Sequence, residues 1–143
     1  DVLFVHGGIA LSQANTPLEK INQAIREELQ EPEKAKTRMA TDPSGVLWYR
    51  GLATGDEKSI DQDLAGVLKA YGASRIVVGH TPSKDAIKPR AGGRVIVIDV
   101  GMSASYGGPA ACLVIENGKY FSVRPDSRQE LPIDSPGPDS RKE

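Results

Sequence analysis

The chain has 143 residues, 38% of them hydrophobic and 26% charged, which is the balance of one globular domain and excludes a fibrous or wholly disordered chain. Its net charge of −1 removes any reason to expect nucleic-acid specificity or an acidic membrane as partner. One cysteine excludes an intramolecular disulfide. The longest apolar runs are strand-sized, so no membrane span is expected; with no signal-peptide pattern, the expected location is cytoplasmic.

Residues 1–5 read as a buried strand. A core-like strand at residue 1 is expected of a chain cut from something longer. A glycine-containing loop follows over 6–15. Thr16 as N-cap, Pro17 at the first helical position and Glu19 three residues after the cap predict a helix. Leu18, Ile21, Ala24, Ile25 and Leu29 give it one apolar face, and Pro32 ends it. Residues 33–45 are polar and irregular, with a turn at Asp42-Pro43-Ser44-Gly45. Ser59 or Asp61 is expected to cap a second helix carrying Ile60, Leu64, Val67, Leu68 and Tyr71, stopped at Gly72. Residues 75–79 read as a buried strand.

From there the pattern is β. Strands are expected over 85–89 and 94–100, joined by a turn at Ala91-Gly92-Gly93. Two more, over 110–115 and 119–123, flank a tight Asn117-Gly118 turn. Cys112 is expected to be a small buried residue. From Pro125 the composition turns to Pro, Ser, Asp and Arg, so residues 126–143 are expected to be loosely attached.

The chemistry concentrates in loops. The chain's two histidines both follow strand-like runs beside glycine: His6 in Leu3-Phe4-Val5-His6-Gly7-Gly8, and His80 in Ile76-Val77-Val78-Gly79-His80-Thr81. Loops at the carboxyl ends of strands are where α/β sheets place their crevices, so the two imidazoles are candidates for one metal ion. Either histidine alone is more often an ordinary polar residue, and two ligands are fewer than zinc sites use. Arg50 lies between an aromatic pair and Gly51, a setting for bidentate grip on a phosphate; the plainer reading is a surface ion pair. Asn15, Thr81, Asp99, Ser103, Ser105 and Tyr106 are the remaining polar residues in such loops. Tyr106 sits among small residues in 99–108, where a ligand can approach closely, or it simply packs on the surface. The basic stretch from Lys84 to Arg94 reads as a solvated hairpin, or as a contact for an anionic substrate.

Taken together, Phe4-Val5-His6-Gly7-Gly8-Ile9, Leu47-Trp48-Tyr49-Arg50-Gly51, Val77-Val78-Gly79-His80-Thr81 and Ile98-Asp99-Val100-Gly101-Met102-Ser103 with Tyr106-Gly107-Gly108 resemble the C-terminal half of a calcineurin-like metallophosphoesterase. The pattern is most similar to the phosphoprotein phosphatases and the Shewanella-like phosphatases, and covers roughly residues 1–124. The resemblance implies an α/β (α+β) fold: half of a metallophosphoesterase-type β-sandwich with two flanking helices and a polar tail over 125–143. It implies a phosphatase for phosphomonoesters or phosphoproteins. In such enzymes two divalent metals (Mn, Fe or Zn) hold a hydroxide that attacks phosphorus in line. His6 and His80 would bind one metal, Arg50 would hold a phosphoryl oxygen, and Tyr106 would stand at the rim. Pro82, where some relatives have a second His, favours the phosphoprotein-phosphatase pattern.

The family's Asp-x-His, Gly-Asp-x-x-Asp and Gly-Asn-His-Asp/Glu motifs do not occur here. A complete site would need an N-terminal half or a homo-oligomer sharing ligands across an interface. A non-catalytic half-domain that binds a partner or an anion, and a phosphodiesterase with a site shared between subunits, are the alternatives.

Overall fold

The computed structural model describes residues 1–34, 38–83 and 86–133. In chain order the main elements are β1 (Val2–Val5), α1 (Leu18–Gln30), α2 (Gly51–Thr54), α3 (Glu57–Tyr71), β2 (Arg75–Val78), β3 (Lys88–Arg90), β4 (Val95–Val97), β5 (Cys112–Glu116), β6 (Lys119–Arg124) and β7 (Ser127–Glu130). The mixed α/β class is as expected, and α2 is a one-turn addition to the two predicted helices.

The strands form two sheets, β1-β2-β4-β3 and β5-β6-β7. In the first, β1, β2 and β4 are parallel and β3 turns back antiparallel on β4. The second is an antiparallel meander. The alternation of β-strand side chains explains the layering. Ile76, Val78, Val95 and Val97 join Ile21, Ile25, Ile60, Leu64 and Val67 in one core under the helices. Val77 and Ile96, pointing the other way, join Tyr120, Leu131 and Val100 in a second core under the meander. A central strand covered on both faces must be apolar throughout, which is why β2 and β4 read as unbroken Val/Ile runs.

Several boundaries differ from the sequence expectation. Helix α1 starts at Leu18 with Pro17 as N-cap, and no side chain caps it. Thr16 is held outside the helix by its own turn: its N–H donates to Gln13 O and its carbonyl accepts from Tyr71 Oη at 2.8 Å. Helix α3 is capped by Asp56, whose carboxylate accepts from Lys58 N, rather than by Ser59 or Asp61. Asp61 instead pairs with Arg94. Gly72 closes α3 in the left-handed region, φ 60°, as expected.

The strand predicted over 94–100 is regular only over 95–97, and that predicted over 85–89 lies at 88–90, with residues 84–85 outside the described residues. The turn at 91–93 and the Asn117-Gly118 turn, both residues at positive φ, form where expected. Phe4, expected to be buried, is 63% exposed, because β1 is an edge strand and the meander does not cover it. Cys112, also expected to be buried, is exposed, since it opens the meander's edge strand β5.

The polar tail contains one correction and one open stretch. Residues 127–130 are not loose: they pair with β6, because backbone hydrogen bonding does not require apolar side chains. The rest of the expected tail, 134–143, lies outside the described residues. Among the described residues no helix is long and apolar enough to cross a membrane.

Candidate functional site at paired strand ends

The parallel register of β1 and β2 sets Val5 beside Val78. Both strands end at that level, so the loops carrying His6 and His80 leave the sheet side by side. Gly79 N–H donates to His6 O at 2.8 Å, locking one loop to the other. The consequence is a pair of facing imidazoles: His6 Nε2 lies 3.2 Å from His80 Nδ1, with ring centroids 4.9 Å apart. This distance suits one N–H···N hydrogen bond between the rings.

His80 has an unusual backbone. Its φ is 62°, and Thr81 N–H donates to Gly79 O across it, the three-residue bond of a γ-turn. A non-glycine residue held there costs on the order of 1–3 kcal/mol, a strain typical of functional sites. The turn directs the ring toward His6 instead of outward. Nε2 of His80 and Oγ1 of Thr81 are buried and have no hydrogen-bond partner among the described residues.

The electrostatics favour a neutral imidazole at His80. Burial lowers its pKa most, the Arg50 guanidinium and His6 lower it further, and the Asp99 carboxylate partly opposes them. Arg50 and Asp99 are therefore both close enough to His80 to be felt. Arg50 is the residue before α2, and its side chain is exposed. Asp99 caps its own loop, accepting from Gly101 N–H at 2.9 Å. In the third loop Tyr106 packs beside Gly101, where an added Cβ would lie 2.9 Å from the Tyr106 Cβ, and Tyr106 is 60% exposed. Asn15, Ser103 and Ser105 are exposed on loops.

One residue was given a different role by the sequence. In the sequence the aromatic pair before Arg50 reads only as the setting of that arginine's grip on a phosphate. Instead, Trp48 sets its ring edge-on to His80, centroids 5.2 Å apart at 85°. Tyr49 is half-buried, and burial and the nearby Asp63 raise its pKa.

The basic hairpin also has a different use. Arg90 donates to Glu57, Leu52 O and Gly55 O, and Arg94 pairs with Asp61. Both arginines tie the sheet edge to α2 and α3 and are engaged structurally. Lys84 lies outside the described residues.

The donor chemistry fits a divalent ion in part. Nitrogens bound to one metal at about 2.0–2.1 Å, with ligand angles of about 90–109°, sit roughly 2.9–3.4 Å apart. The histidine nitrogens stand at 3.2 Å already. Among the described residues, no group of three or more His, Cys, Asp or Glu side chains converges as a metal site, so the pair is an incomplete ligand set.

No protein-family model matches the chain. An uncharacterized protein of Schizosaccharomyces pombe is 37% identical over 79 residues, which is 55% of this chain and 24% of that protein. A cold-active protein-tyrosine phosphatase of a psychrophile Shewanella sp. superposes with a TM-score of 0.76 at 27% identity, covering 92% of this chain and 40% of the phosphatase. A second structure of a cold-active protein tyrosine phosphatase gives a TM-score of 0.77 with the same coverage. The chain thus spans about two fifths of the solved phosphatase chains and about a quarter of the curated relative. Over nearly all of its length it has the fold of that portion of a phosphatase.

Proposed function

We propose that this chain is the His6/His80-bearing portion of a metal-dependent phosphoric ester hydrolase, a phosphatase of the calcineurin-like metallophosphoesterase type. The observation that carries the reading is the 3.2 Å approach of His6 Nε2 and His80 Nδ1 at adjacent strand ends. In this reading the two imidazoles would hold one divalent ion (Mn, Fe or Zn), and the lowered pKa of His80 favours its neutral, ligating form. When bound, such an ion supplies Lewis acidity toward phosphoryl oxygens and acidifies water.

The chain's own residues do the remaining work. Arg50 is a bidentate donor for equatorial phosphoryl oxygens, offsetting charge that builds as the water oxygen bonds to phosphorus and the ester P–O bond breaks. The attacking water releases a proton to solvent and the leaving alkoxide takes one up from solvent, so the products are the alcohol and inorganic phosphate. In this reading Tyr106 would stand at the rim of the phosphate pocket. The exposed rings of Trp48 and Tyr106 suit an aryl group, and the solved neighbours are named protein tyrosine phosphatases, so an aryl phosphate monoester is the substrate class proposed. The missing ligands come from further polypeptide beyond this chain, or from a second copy.

The chain's single cysteine, Cys112, is the first residue of edge strand β5, and the proposed mechanism does not use it.

The test is titration of the chain with Mn²⁺ and Zn²⁺ by calorimetry, alongside hydrolysis of para-nitrophenyl phosphate by protein that also carries the missing portion. One ion per chain should bind, with binding and hydrolysis both lost in His6→Ala and His80→Ala. Metal binding that persists in both variants would refute the assignment. Stabilisation by phosphate without metal would favour an anion-binding module instead.

A further inference from the structure

His80 is held by little that is specific to its ring. Its backbone lies in the left-handed region, and its Nε2 has no hydrogen-bond partner among the described residues. Besides His6, the aromatic ring packed against it among the described residues is that of Trp48, centroids 5.2 Å apart and nearly perpendicular. Trp48 is itself 48% exposed, so packing alone does not fix the indole. A single directional bond does: Nε1–H donates to Ala40 O at 2.8 Å.

Ala40 lies in an irregular segment, yet it is anchored from below. The carboxylate of Glu28, on α1 and only 7% exposed, accepts from Met39 N–H at 3.0 Å and from Ala40 N–H at 2.8 Å. A buried carboxylate is costly unless it is hydrogen-bonded, and here its two oxygens take successive backbone amides. The segment between is wound tight. Thr41 and Asp42 N–H donate to Arg38 O, Gly45 N–H to Asp42 O, and Trp48 and Tyr49 N–H to Gly45 O. The contacts run continuously from helix α1 to the site: Glu28 carboxylate, the Met39-Ala40 peptide, the Trp48 indole, the His80 imidazole.

We infer that Trp48 and Glu28 are positioning residues, and that Glu28, through Ala40 and the Trp48 indole N–H, holds the His80 ring facing His6. The arrangement of the ring is a property of the metal-free chain; its consequence for metal affinity rests on the function proposed above. Partners outside the ligand shell that orient a ligating histidine typically account for roughly 10- to 100-fold in metal affinity.

The experiment uses Glu28→Gln, which keeps the shape and removes the charge, and Trp48→Phe, which keeps an aromatic ring and removes the N–H. Leu131→Ala, in the core under the meander, is a destabilised control remote from the site. Trp48 is the chain's single tryptophan, so its indole N–H gives one unambiguous NMR signal.

In the metal-free chain, Glu28→Gln should abolish exchange protection of that N–H and shift the His80 ring-proton resonances. Trp48→Phe should shift the same His80 resonances. Both variants should bind Zn²⁺ roughly 10- to 100-fold more weakly, with Leu131→Ala matching the wild type. Unchanged His80 resonances in both variants overturn the inference. So does an equal loss of Zn²⁺ affinity in Leu131→Ala, which would mark a general effect of destabilisation. If the wild-type chain binds no Zn²⁺, the proposed function fails, and the NMR comparison still decides whether the brace exists.

Discussion

Replacing Gly7 with alanine tests whether the His6 loop depends on close backbone contact with the segment carrying Trp48 and Arg50. Gly7 is buried, its N–H donates to Val46 O at 2.8 Å, and its φ is not in the left-handed region. A Cβ there would lie 2.9 Å from both Leu47 C and Leu47 O and 3.0 Å from Val46 O. Carbon contacts are comfortable at about 3.5 Å or more, so the carbonyls of residues 46 and 47 must withdraw by roughly 0.6 Å. That stretches the Gly7–Val46 bond to about 3.4 Å, beyond a good hydrogen bond.

Overpacking of this kind costs about 1–3 kcal/mol and the lost bond about 1 kcal/mol. The stiffer unfolded chain offsets about 0.4–1 kcal/mol. The net loss is about 1–3.6 kcal/mol, which lowers Tm by roughly 3–14 °C for a chain of this size. Thermal unfolding followed by circular dichroism gives the number. Emission from the single tryptophan reports whether the 46–50 segment has moved. An unchanged or raised Tm, the usual result where a new Cβ fits, would refute the close-contact argument.

Leu64 is 0% exposed in the core under the helices, so Leu64→Ala should cost about 3–5 kcal/mol in urea unfolding; a loss below about 1 kcal/mol would mean that α3 is not packed as described. Arg90→Lys replaces a fork that reaches Glu57, Leu52 O and Gly55 O from a nearly buried side chain, and should cost about 2–4 kcal/mol by the same measurement, against under about 1 kcal/mol for an ordinary surface pair. The metal-free chain should lose stability as pH falls below about 6.5, the ordinary histidine value. His80 has its folded pKa lowered, so the unfolded chain binds the proton first; the loss begins near the unfolded value and levels off below the folded one. His80→Asn should flatten that step in urea titrations run between neutral pH and about pH 5, where carboxylates remain ionised. Stability that instead rises on acidification there would contradict the direction of the shift.

Much of this molecule was legible in one dimension, for reasons that are local. Unbroken Val/Ile runs at 76–78 and 95–97 announce strands covered on both faces, because nothing else tolerates such a run. The apolar spacing through Ile60, Leu64 and Val67, with Gly72 after it, locates α3, and Asn117-Gly118 locates a hairpin. A histidine beside glycine after each of two strand-like runs identified the candidate site, since a strand's end determines where the next residue emerges.

What only the tertiary structure decided depends on partners remote in sequence. The pairing of His6 with His80 follows from the parallel register of β1 on β2, which links residues 74 apart. The use of Asp61 for Arg94, freeing Asp56 to cap α3, follows from where the β3–β4 hairpin lands. Strand β7 forms from charged and polar residues because β6 offers it backbone partners. The role of Trp48 could not be read from its neighbour Arg50, since the Ala40 and His80 contacts of its indole arrive from other segments. Local propensity and hydrophobic period act within a few residues, whereas the direction in which a site side chain points is decided by whatever the fold packs against it.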